Sequence, residues 1–154
     1  MPKPTMDQKR ARFALEKIKI VLEDQDPKRR QKYLIELRHL PAQLHWGGLG
    51  QAAASLLTDR NKNKHRVEIH LWLEDWLRQS HVYAALNKGK QASLMEAITG
   101  AGGNEQLQDR YVAATREARA IAVWLKKFAE AFLREPDQND NKGDDHAAAA
   151  PPPV

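Results

Sequence analysis

The chain has 154 residues, a net charge of +5 and no cysteine, which excludes disulfides, thiolate metal sites and a cysteine nucleophile. Apolar residues make up 42% of it, enough for a core if they are patterned, and the length suits one domain. No apolar run approaches a membrane span and the N-terminus lacks the apolar block of a signal peptide, so a soluble, cytoplasmic protein with no membrane partner is expected.

In chain order, a first helix is expected from about residue 5 or 7 to 23, with Ala11, Ala14, Leu15, Ile18, Val21 and Leu22 as its core stripe. Phe13 and Ile20 lie apart from that stripe, either as ordinary packing or as a contact for another subunit. Asp26 before Pro27 is a start signal, a capping side chain followed by a residue whose φ suits the first turn. The helix that follows should turn Tyr33, Leu34, Leu37 and Leu40 inward, be kinked or divided by Pro41, and end at Gly47-Gly48. An alanine-rich helix is expected over 49–59. A basic loop over 60–66 leads into a helix over 64–79 that places Ile69, Trp72, Leu73, Trp76 and Leu77 on one side. A loop at 87–90 precedes a short helix over 91–98, which ends at Gly100-Ala101-Gly102-Gly103, and Asn104 is placed to cap the final helix.

That final helix carries the clearest pattern. At 100° per residue, Leu107, Tyr111, Ala114, Ala118, Ile121, Ala122, Leu125, Phe128, Ala129 and Phe132 share one stripe. Arg116, Arg119, Lys126, Lys127 and Arg134 fall on the other side, with Glu130 the one acid among them. Beyond residue 135 the composition becomes polar, acidic and proline-rich, which predicts a disordered tail. The expectation is an all-α protein: a single compact bundle of five to six helices over 1–135, and a tail over 136–154. Charge divides in the same place. The body holds 24 Lys and Arg against 16 Asp and Glu, while the tail holds four Asp against one Lys. A basic body points to a polyanionic partner.

No set of residues supports catalysis or metal binding. His65 and His70 are five apart, not the four that brings two imidazoles onto one helix face. Trp46-Gly47-Gly48-Leu49-Gly50 lacks the Lys-Ser/Thr and preceding strand of a phosphate loop. Glu74 and Asp75 diverge by 100° on a helix and do not converge on one point. No cofactor is implied. The remaining chemistry is cationic, in clusters on the first, second and last helices and in the 60–66 loop. Such clusters suit phosphate backbones. The tryptophans lie on or near core stripes, so no aromatic stacking platform is expected and backbone tracking is favoured over base readout.

Four blocks resemble the small helical subunit of type III-B CRISPR effector ribonucleoproteins, the Cmr complexes. They are QKRARFALEKI, Tyr33 with LRHLPAQL, GLGQAAASLL and YVAATREARAIAVWLKKFAEAFL, in that order and covering roughly residues 8 to 134. The resemblance implies a non-catalytic subunit. Copies of it would stack into an inner filament beside the backbone subunits, where target RNA pairs with guide RNA. The partners implied are those RNAs, the other subunits of the complex and further copies of the chain. By position, Lys9, Arg10 and Lys17 match basic sites of the first block, and Lys126 and Lys127 match the basic pair after Trp124. With Arg116 and Arg119 these form the expected phosphate-contact set. The alternatives are a helical DNA-binding regulator, which residues 91–119 would imitate with too long a turn, and a protein-interaction bundle without nucleic acid.

Overall fold

Thr5 and Gln8 start the first helix by capping each other. The Gln8 amide donates to the Thr5 hydroxyl at 3.1 Å, and the Thr5 amide donates to the Gln8 side chain at 2.9 Å. Helix α1 (Met6–Leu22) follows. The computed structural model describes residues 2–82, 93–99 and 107–134 and, in α5, nothing of the side chains of 107–109. These residues form α1, α2 (Pro27–Leu56), α3 (Lys64–Gln79), α4 (Leu94–Thr99) and α5 (Leu107–Phe132), and no strand. The all-α bundle expected from the sequence is what the chain forms. The expected loop at 87–90, the glycine-rich turn, the Asn104 cap and the tail lie outside the described residues.

Helix α5 packs against both α1 and α2. It runs antiparallel to α2: Gln31 bonds to the Leu133 carbonyl, Arg38 lies 3.7 Å from Glu130, and the Gly50 amide meets Tyr111. Ala114, Ala118, Ile121, Ala122, Leu125 and Ala129 are fully buried along it. Four alanines in that row let neighbouring backbones approach closely. The predicted stripe is correct along most of its length. At its end Leu133 is buried in place of Phe132, which is 49% exposed. In α1, Phe13 joins the core against Trp76, with ring centroids 5.1 Å apart, while Leu22 stays exposed. The buried arc of α1 is shifted because α3 covers its Phe13 side while α5 packs beside it. Ile20, the other residue of that pair, is 56% exposed.

Helix α2 departs from expectation at Pro41. The helix runs on through the proline, and Gly48 is the residue with non-helical angles. Proline removes one backbone bond, but Leu37, Leu40 and Leu44 on either side of it are fully buried and hold the segment to the core. Gly48 divides the helix as expected, with φ 75° and ψ 176°, a region open essentially to glycine alone. The break frees the Gly50 amide at the start of the second segment, and it donates to the Tyr111 hydroxyl at 2.9 Å. A Cβ on Gly48 would sit 2.9 Å from that same oxygen.

The second segment ends against α3. The Leu57 amide turns to the Ala54 carbonyl, and the Ala53 carbonyl lies 3.0 Å from His70 Nδ1. That contact requires a proton on Nδ1. Burial lowers the His70 pKa, which favours the neutral ring. Helix α3 has the bounds predicted for it, and Glu74 on it accepts from the Leu94 amide at 2.9 Å, capping α4. Gly48→Ala should lower stability by about 1–3 kcal/mol in denaturant titrations. Gly47→Ala, at a helical position where the new Cβ would sit 2.9 Å from Gln51 Oε1 and 3.2 Å from Gln51 Cβ, should cost less than Gly48→Ala, because the Gln51 side chain can shift and no positive φ is involved.

Candidate nucleic-acid interface

Seven cations were expected to contact phosphate, and the fold sorts them into two groups. Arg10 is engaged inside the protein. Its Nε and one terminal nitrogen reach the two oxygens of Glu117 at 2.7 and 2.8 Å, and Asp7 lies 3.6 Å away. Glu117 is 8% exposed and also accepts from the Trp76 indole at 3.0 Å. The Arg10 bond holds the Glu117 carboxyl below its usual pKa, against the opposing effect of burial, and Glu117 raises Arg10 in return. Lys17 is also occupied, 3.7 Å from Asp75 and 5.0 Å above the Phe13 ring.

The other five have no acid within ion-pair reach among the described residues. Lys9 is exposed and, with Arg12, lines a groove of about 350 Å³ between α1 and the end of α3. Arg116, Arg119 and Lys127 are exposed, and Lys126 is half-buried. Lys127 lies over the Trp124 ring at 5.3 Å, and the Trp124 indole donates to Asp7 at 2.9 Å. Trp124 therefore links the basic pair of α5 to the start of α1. At 100° per residue, Arg116, Arg119, Val123 and Lys127 share the outer side of α5. Glu130, the acid on that side, is turned to Arg38 at 3.7 Å. Among the described residues, the outer side of α5 is thus a cationic row with no carboxylate in ion-pair reach.

The tryptophans do not behave alike. Trp72 and Trp76 are buried as expected, whereas Trp46 is 85% exposed. Its helical neighbours Gln43 and His39, at i−3 and i−7, are both polar, and this was the available signal that it faces water. Among the described residues no group of three or more His, Asp or Glu is placed to hold a metal ion, and no helix is long and apolar enough to cross a membrane.

The family model described as CRISPR-associated protein (Cas_Cmr5) matches residues 6–132. The chain belongs to that family. It is a member of the small-subunit family of type III-B CRISPR complexes, a component of the Cmr assembly that associates with other Cmr subunits. No curated protein and no solved structure matches the chain. The match spans α1 to α5, so the Arg10–Glu117 pair and the α5 row both fall within the family region.

Because the Glu117 pKa is lowered in the folded state, its contribution is complete above the ordinary carboxylate range and is lost as pH falls through the lowered value. Glu117→Gln should cost about 1.5–3 kcal/mol at neutral pH. It should also flatten the loss of stability below about pH 4.5. Chemical denaturation at a series of pH values reads both effects.

Proposed function

We infer that this Cmr subunit holds RNA through its phosphates on the outer side of α5 and serves as a structural, non-catalytic element of the effector complex. The observation that carries this reading is the row of Arg116, Arg119 and Lys127, exposed and with no acid in ion-pair reach among the described residues, on a helix whose other face is mostly buried in the core. A rigid helix fixes the spacing of those charges along a strand. Such contacts neutralise backbone charge without reading bases, which leaves sequence recognition to pairing between guide and target RNA. Lys9 and Lys126 extend the set on either side. Arg10 and Lys17, matched by position to the family's basic sites, act by holding α1 against α5 and α3, since their charges are met by Glu117 and Asp75.

Membership of a multisubunit assembly supports a scaffold role over a free-standing one, with copies stacking into an inner filament. Exposed Ile20, Leu22 and Leu71 provide apolar surface for such contacts.

The test is RNA affinity over a salt series. Lys126→Glu with Lys127→Glu should weaken binding of single-stranded RNA and reduce the slope of log affinity against log salt by about 1.4, or 0.7 for each lost contact. Helicity should be unchanged. Unaltered affinity and slope in that variant, and in Arg116→Glu with Arg119→Glu, would sink the reading.

A further inference from the structure

Helix α2 presents a second face that the α5 row does not account for. Its single carboxylate, Glu36, is buried and bonded to Arg66 at 3.0 Å, so no acid from α2 reaches the surface. At helical spacing, Lys28, Lys32, Ile35, His39, Gln43 and Trp46 fall on one side, and all six are exposed. The row is roughly 27 Å long at 1.5 Å per residue. It begins with two lysines and ends on an indole that is 85% exposed. Trp46 stands two residues before the Gly48 break, where the backbone leaves the helical path. The neighbouring His45 ring stands nearly perpendicular to it, with centroids 5.2 Å apart.

We propose that this face of α2 is a second single-stranded RNA contact, with Lys28 and Lys32 on the phosphates and Trp46 stacked on a base. It rests on the reading of the protein as an RNA-holding subunit and extends it from phosphates to a nucleobase. Charge favours this occupant: the row is cationic at one end and carries no exposed acid of its own helix. The apolar pattern agrees. Ile35 and Trp46 are separated by about 16 Å along the axis with His39 and Gln43 between them. A protein interface needs a contiguous apolar centre, whereas an isolated exposed ring beside a cationic row suits a strand whose bases stack one at a time. Stacking of this kind tolerates any base, so it adds affinity without specificity.

The experiment measures anisotropy of a labelled single-stranded 20-mer RNA, and of the same RNA as a duplex, with the full chain. Trp46→Ala should weaken single-strand binding roughly 5- to 150-fold with little change in salt slope. Trp46→Phe should retain most of the affinity, and duplex binding should be insensitive to either change. Lys28→Glu with Lys32→Glu should reduce the salt slope instead. Thermal unfolding should be nearly unchanged in Trp46→Ala, because the ring is 85% exposed. Equal single-strand affinity in Trp46→Ala and the parent protein overturns the proposal, and so does equal loss on duplex. If Trp46→Ala leaves RNA binding intact but shifts the oligomeric state in sedimentation, the face serves protein contacts and the proposal is wrong. Loss of binding in the Lys126 and Lys127 double reversal alone spares the α5 reading and sinks this one. Loss in Trp46→Ala alone does the reverse.

Discussion

Glu117 brings a carboxylate into the junction of α1, α3 and α5, where water has little access. Leaving that charge unmet would cost several kcal/mol. The site meets it with three donors, two from the Arg10 fork and one from the Trp76 indole. Each donor comes from a different helix than the acceptor, so the bonds form only when α1 and α3 sit at one register on α5. Apolar contact alone would allow these alanine- and leucine-rich surfaces to slide. The buried pair favours a single arrangement, and the positions of Phe13 against Trp76 and of Lys17 against Asp75 follow from it.

The same logic repeats at lower stakes elsewhere. Arg66 meets Glu36 between α3 and α2, His70 meets the Ala53 carbonyl, and Glu74 caps α4. Acids are concentrated in these internal ties and at helix starts. Cations outnumber them, and the excess is left on the outer sides of α5 and α2. The interior polar bonds and the exterior basic surface are linked: Asp7, Glu36, Glu74, Asp75, Glu117 and Glu130 are engaged between helices and so do little to offset the cations outside. Charge available for a polyanion is what remains after that use.

Much of the fold could be read from the residues themselves. The bounds of α3, the Asp26-Pro27 start and the alanine row of α5 depend on local signals, namely spacing, caps and the absence of Gly and Pro. Two departures arose where the partner decides. Pro41 does not divide α2, because the leucines around it are buried, and at the end of α5 Leu133 is buried in place of Phe132. The site was less legible. Sequence shows that Arg10 and Lys17 are basic but not that Glu117 and Asp75 stand opposite them, because both pairings are long-range. Trp46 was misjudged for another reason. Tryptophan is usually taken as core, and its polar neighbours one and two turns back were the better guide.

The hydroxyl of Tyr111 occupies the space a side chain at position 48 would need, and it also bonds the amide two residues further on. Neither residue is free to vary alone. A larger residue at 48 would displace the ring, and removal of the ring's oxygen would strand the amide. Across descendants of this chain the two sites should therefore mutate as a linked pair, and a substitution at one should mark a compensating change at the other.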